Sequence, residues 1–305
     1  FAGDAYNVAV GFNAGLSVTT GKYNTLVGAE AGDAIHTGEY NTVMGYQALS
    51  AEDGNGKNVV MGAFAMQDLN AGADAENVAL GYVAMGNATT GKYNVAVGAR
   101  AMESGITTGD NNVSVGRYAG KQVTSGANNI LIGSNAGVAI TTGGNNVALG
   151  HNALSTEDTG HGSVAIGSFA LEDQDAGNAY NVAVGFSAGL EVTSGLYNTL
   201  IGGYAGDALT TGSENIAIGY AALSSEDGNG KNVAIGVNAL EDLNAGADAY
   251  NIAIGHGAGR NVTTGLYNTA IGGKALNTNV DGDNNTALGY TALKTFEADT
   301  DGHGN

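Results

Sequence analysis

The sequence predicts an all-β chain wound as a parallel β-solenoid, a β-roll or β-helix of about 17 rungs with a period of about 17 residues. Three observations predict it. A five-residue core, Asn-(Val/Thr/Ile)-(Ala/Leu/Val/Ser)-(Val/Ile/Leu/Met)-Gly, begins at positions 7, 24, 41, 58, 77, 94, 112, 129, 146, 163, 181, 198, 215, 232, 251, 268 and 285, with Ser163 as its one non-Asn start. β-Branched residues alternate with small ones inside it, as in Val8-Ala9-Val10. Glycine numbers 52 of 305 without a collagen-like spacing, and proline is absent. The repeat is unbroken, so residues 1–305 read as a single continuous domain.

The core is a short strand, and the glycines after it and before the next Asn mark turns. A 17-residue period crowded with Gly and β-branched residues leaves no room for a helix of ordinary length. Side chains alternate across a strand, so Val8 and Val10 point one way and Ala9 the other. That middle position is Ala in eleven of the seventeen copies and Leu, Val or Ser in the rest. Both faces are apolar, which predicts that both are buried. One lines the coil; the other needs a second strand layer or a partner chain, and a small Ala permits close approach.

The leading asparagines Asn7, Asn24 and Asn41 and their successors are expected to form a structural hydrogen-bonded ladder between rungs. Tyr6, Tyr23 and Tyr40, one residue before each core, are expected to stack in the same way; a sugar-binding platform is the alternative. The rungs starting at 58, 94, 163 and 232 run to 18 or 19 residues. Three of them carry acidic loops, containing Asp68, Asn70 and Asp74, Asp173 and Asp175, and Asp242, Asn244 and Asp248. Loops on a rigid scaffold are where binding specificity usually sits, which makes these the candidate surface-contact residues.

Composition narrows the function. The formal charge is −19, which disfavours nucleic acid and anionic membranes as partners. No apolar run approaches the ~20 residues of a membrane helix. There is no cysteine, so disulfides and thiolate metal sites are excluded. Phe1-Ala2 looks like the mid-rung steps Phe64-Ala65 and Phe169-Ala170, so the sequence reads as a stretch of a longer repeat.

The core resembles two related groups. Asn215-Ile-Ala-Ile-Gly219 and Ser163-Val-Ala-Ile-Gly167 are similar to the repeats of YadA-like trimeric autotransporter adhesin heads. Asn268-Thr-Ala-Ile-Gly-Gly-Lys-Ala-Leu276 and Asn285-Thr-Ala-Leu-Gly-Tyr-Thr-Ala-Leu293 resemble those of phage and virus tail fibres. The resemblance implies three chains about one axis and attachment to a surface. Adhesin heads usually have a shorter period, which leans the 17-residue rung toward the fibres.

Chemical motifs are sparse. Gly185-Phe-Ser187-Ala-Gly189 matches a nucleophile elbow, but the elbow needs a strand-to-helix turn. The five histidines share no ligand spacing. Glu297-x-Asp299-x-Asp301-Gly302, Asp281-Gly-Asp283-Asn284 and the acidic loops are oxygen clusters that suit Ca2+, though turns favour the same residues. The expected function is therefore non-enzymatic: an extracellular, homotrimeric fibre segment or adhesin on a cell surface or virion, with a cell-surface glycan or protein as receptor. The alternatives are a self-assembling filament or sheath subunit and an ice-binding solenoid with Thr-rich faces.

Overall fold

A computed structural model describes residues 5–54, 56–72, 74–103, 107–228 and 230–296. It divides into two compact units, Phe1–His151 and Asn152–Asn305. The first holds nine three-residue strands, from β1 (Val8–Val10) to β9 (Val147–Leu149). The second holds eight, from β10 (Val164–Ile166) to β17 (Thr286–Leu288). Within each unit every strand pairs in parallel with the strand of the next rung, residue for residue: Val8 lies opposite Thr25, Ala9 opposite Leu26 and Val10 opposite Val27. No helix occurs among the described residues. The chain is a parallel β-solenoid with the predicted period.

The strands are short because left-handed backbone brackets them. The residue before the core Asn has a positive φ, 60° at Tyr23, and the glycine that closes the core sits near φ +140°. Only glycine adopts the second conformation readily. The turn-to-turn approach enforces the same choice, since a Cβ on Gly28 would lie 2.5 Å from the carbonyl oxygen of Gly45 one rung on. Two further left-handed residues follow, two and four positions after this glycine, such as Glu30 and Gly32 or Gln47 and Leu49. Main-chain bonds then run from rung to rung, as from the Glu30 N–H to the Phe12 carbonyl at 2.8 Å.

Within one chain only one of the two apolar strand faces is buried. From Leu26 to Ala287 the middle residue of every strand is buried, whereas its two neighbours are half-buried or exposed. The small residue therefore faces inward and the large β-branched pair faces out. Each rung has only one strand among the described residues, so no second strand layer covers the outer pair. The coil is too narrow for the reverse arrangement: the inward strand residue shares its space with the residue four positions after the core glycine.

That shared space is filled by exchange. Ten rungs place Ala or Val on the strand and Leu or Met in the turn, as with Ala217 and Leu223, both fully buried. In three of the seven rungs whose turn carries Gly, a strand Leu takes over, and at Gly259 the space is met by Leu240 of the preceding rung. Leu200 fills two notches at once, its methyls lying 2.6 and 2.9 Å from where a Cβ would stand on Gly189 and Gly206. Leu26 does the same at Gly15 and Gly32, and Leu131 at Gly120 and Gly137. Leu200→Ala is expected to cost about 2–5 kcal/mol in chemical denaturation. Adding Gly206→Leu, which copies the neighbouring rung's Ala217 and Leu223, is expected to recover part of that loss; purely additive destabilisation would contradict volume exchange.

Candidate interaction surface

The asparagine column fixes the rung pitch. Asn7 Oδ1 accepts the backbone N–H of Asn24 at 2.8 Å, and its Nδ2 donates to the Gly21 carbonyl at 2.7 Å. Asn24 repeats the pattern with Asn41 N–H at 2.9 Å and Gly38 at 2.8 Å. The ladder is mainly side chain to main chain; direct amide-to-amide bonds occur at a few steps, such as Asn129 to Asn112 at 3.1 Å. Because Asn24 and later members are buried, each amide satisfies main-chain groups that water cannot reach.

The one rung without Asn has a substitute that sequence reasoning missed. Ser163 is too short to span the gap, and Gln174 enters from further along the same rung. Gln174 Nε2 donates to Ser163 Oγ at 2.9 Å and to Glu157 Oε2 at 3.0 Å, while its Oε1 accepts from Asn181 Nδ2 at 2.9 Å. All four residues are fully buried. Burial pushes the Glu157 carboxyl above its usual range, against the hydrogen bonds from Gln174, Gly160 and Ala176. The signal was the coincidence of the only missing Asn with the only Gln at this inward turn position, where Glu52 and Glu226 are followed by Leu69 and Leu243.

The tyrosines stack on the exterior. Tyr6 and Tyr23 lie 5.7 Å apart at 7°, and Tyr23 and Tyr40 4.8 Å apart at 13°. Tyr180 and Tyr197, and Tyr250 and Tyr267, repeat the arrangement in the second unit. A second aromatic column runs along the corner after the strands. Tyr46, Phe64 and Tyr82 meet edge to face at 5.3 and 6.1 Å, as do Phe169, Phe186, Tyr204 and Tyr220. Its signal was also legible: large and small residues alternate rung by rung after the core glycine, in the order Phe12, Ala29, Tyr46, Ala63, Tyr82, Ala99.

Between these two columns lies the outward strand face. It presents two residues per rung, drawn from Val, Ile, Leu, Met and Thr, with no charge anywhere along it. Val59 is 41% exposed, Met61 47% and Ile130 43%, large fractions for apolar side chains in a regular array.

The acidic loops are held to the scaffold more firmly than free display would need. Leu69 and Leu243 tuck into the core, while the N–H groups of Asn70 and Asn244 donate to Thr89 and Thr263 at 2.8 Å. Asp74 pairs with Lys57 and Asp248 with Lys231, each at 2.6 Å. The Asp248 hydrogen bond holds the Lys231 ammonium well above its ordinary range and the Asp248 carboxyl below its own. Asp68, Asp173, Asp175 and Asp242 are exposed. Asp68, Asn70 and Asp74 belong to the first unit and the other candidates to the second.

For cation binding, carboxylate oxygens of Glu157, Asp158 and Asp175 lie within 4.8 Å of one another. The Glu157 carboxylate already accepts from Gly160, Gln174 and Ala176. Asp283 Oδ1 accepts the Leu266 N–H at 2.7 Å, a turn role. The Glu297–Gly302 motif lies outside the described residues. Ser187 of the elbow-like motif is 4% exposed within a rung corner, where its N–H donates to Ser168 at 2.9 Å. In the Thr pairs the first hydroxyl bonds the neighbouring rung, as Thr19 does to His36 at 3.0 Å and Thr124 to Thr141 at 3.0 Å. No family model matches the chain, and no curated protein matches it either.

Two measurements follow from these polar groups. Gln174→Leu strands buried oxygens and is expected to cost about 2–4 kcal/mol. Ser163→Asn in the same chain rebuilds the Asn58/Leu69 arrangement, so a double-mutant cycle is expected to show at least ~1 kcal/mol of favourable coupling; zero coupling would refute the substitution scheme. Asp207, half-buried and near Glu191, has its carboxyl pushed up from 3.8 to about 6, chiefly by burial. A raised folded value favours the fold below the unfolded value, and this contribution fades as pH rises through about 6. Asp207→Asn is therefore expected to stabilise the chain by about 1–2 kcal/mol at pH 8, allowing for solvent screening. The gain should vanish near pH 3.5, as read from denaturation midpoints at both pH values.

Proposed function

We propose that this chain is a structural and adhesive fibre segment that works as a homotrimer outside the cell, on a virion or a cell surface. The observation that carries this reading is the outward strand face: uncharged, regular, half-exposed and uncovered within one chain. Water stands against one or two large apolar residues per rung, a cost that repeats along the coil and is relieved at once when like chains meet along it. The charge is distributed to match. Asp and Glu occupy turns and corners and leave this face uncharged, so repulsion between two chains falls mainly outside it. The core's resemblance to fibre and adhesin repeats supports three chains in particular. Turns and corners left outward then supply the surface that meets a glycan or protein receptor.

Nothing in this reading assigns catalysis. Each rung repeats its neighbour's chemistry, and a repeated rung suits rigidity and display better than a single reactive centre.

Sedimentation equilibrium is expected to give three times the chain mass. Ile252→Asp/Ile254→Asp, on β15 (Ile252–Ile254), puts two carboxylates into the apolar face and is expected to weaken assembly at least 100-fold. Ser225→Asp, on an exposed turn, should leave the mass unchanged. A monomeric parent chain, or indefinite polymers in electron micrographs, would sink the trimeric reading.

A further inference from the structure

The net charge of −19 conceals a segregated pattern. Residues 77–151, all in the first unit, contain four basic and two acidic residues. The rest of the chain carries six basic residues against twenty-seven acidic ones. Three of the four cations in this band gather at one corner. Arg100 follows β6 (Val95–Val97), and Arg117 and Lys121 follow β7 (Val113–Val115).

These cations cluster around two aromatic rings, the exposed Tyr82 and the half-buried Tyr118. The Arg117 guanidinium lies 4.6 Å from the Tyr118 ring centre and Lys121 Nζ 5.1 Å from it, with Arg100 5.9 Å from the ring of Tyr82. Arg117 also donates to the Tyr118 hydroxyl at 3.3 Å. Arg100 has Glu103 at 3.6 Å. Among the described residues neither Arg117 nor Lys121 forms an ion pair, although the chain has an almost threefold excess of carboxylates. The hydrogen bond from Arg117, then the charges of Arg117, Arg100 and Lys121, hold the Tyr118 hydroxyl below its ordinary range. An anion placed here would meet the same field. Main-chain bonds fix the corner, with Arg100 N–H on Tyr82 and Tyr118 N–H on Ala99.

We infer that this corner binds an acidic glycan, with Arg117 and Lys121 holding a sugar carboxylate and the exposed face of Tyr82 receiving a sugar ring. A guanidinium fork suits the two oxygens of a carboxylate, and an aromatic face suits the apolar face of a pyranose. The size of the band selects a sparsely charged ligand. A densely charged polyanion, such as nucleic acid or a heavily sulfated chain, would run out of the band into the acidic rungs that precede it in the same unit, where it is repelled. A glycan with about one carboxylate per disaccharide places a single charge in the corner and neutral sugars beyond it.

This inference rests on the adhesive reading, yet the two fail separately. The probe is a fluorescent hyaluronan hexasaccharide, titrated into the intact protein and followed by anisotropy. Saturable binding is expected. It should weaken at least tenfold in Arg117→Ala/Lys121→Ala and several-fold between 50 and 300 mM salt, while Lys274→Ala/Lys294→Ala leaves it unchanged. Arg117→Lys/Lys121→Arg keeps both charges over Tyr118 and should retain most of the affinity, which separates charge recognition from a weakened corner. No binding, equal binding by the Ala double variant, or preference for a heparin hexasaccharide would overturn the proposal. A trimer that ignores the probe loses this site and keeps the fibre reading. A monomer that binds through Arg117 and Lys121 keeps the site and loses the fibre reading.

Discussion

A polar side chain turned into a coil too narrow for water has to find its partners in the adjacent turns. The asparagine column meets that condition and sets the terms for everything else. Its Oδ1 takes the N–H of the following Asn, and its Nδ2 takes the carbonyl of a glycine fourteen residues ahead, as in Asn198 to Gly212. The first opens the next rung and the second lies in the turn that leads into it, so each amide measures the distance between turns and locks strand register. Two of the lengthened rungs have a looser lock, whereas Asn94, which also opens one, still donates to the Gly109 carbonyl at 2.8 Å. Ahead of the loops at 68–74 and 242–248, the Nδ2 of Asn58 and of Asn232 turns back to the preceding Asn at 3.2 and 3.3 Å. Ser163, the one missing amide, also opens a lengthened rung, and there Gln174 supplies the bonds that an Asn would make.

With pitch fixed, width follows. An inward strand residue and an inward turn residue divide one small volume between them, hence the trade of Leu200 against Gly189 and Gly206. The turn positions have positive φ, which glycine tolerates best, yet Leu49, Met85 and Leu223 sit there at 52°, 52° and 58°. Burying a Leu or Met is worth about 2 kcal/mol, more than the roughly 1–2 kcal/mol of a left-handed non-glycine residue. Packing therefore overrides backbone preference in most rungs. The same narrowness expels the β-branched pair to the exterior, so the exposed apolar face is a consequence of the core's geometry. Surface chemistry available for assembly comes directly from how little the coil can hold.

Much of this was legible in the sequence, because a short period turns local pattern into position. Strand, closing glycine, Asn column and Tyr6–Tyr23–Tyr40 stack all follow from lining up the cores. Which strand face lines the coil did not follow. Alternation yields two apolar faces, and deciding between them needs the turn residues that compete for the interior. Gln174 escaped because its partners span three successive rungs, Glu157 before it, Ser163 in its own and Asn181 after it, a relation visible only once the turns are stacked. The acidic loops read as free display, whereas Lys57 and Lys231 bind Asp74 and Asp248 back to the scaffold. The cationic band was hidden by summing charge over the whole chain.

Electrostatics connects these levels. A carboxylate in a turn repels its counterparts in neighbouring turns, since they recur at the rung spacing of ~4.8 Å, well inside the screening length at physiological salt. The chain limits this self-repulsion by interrupting acidic columns: the position of Asp33 and Asp207, five residues past the core glycine, is taken in other rungs by Lys121, Arg260, Ser50 or Leu190. Where a carboxylate is also partly buried, as at Asp207, repulsion and desolvation act in the same direction and raise its affinity for a proton. Moderate acidity therefore tightens the coil and lowers the repulsion between its turns together. Over that range the uncharged strand face keeps its character, insulated from the titration of the turns around it.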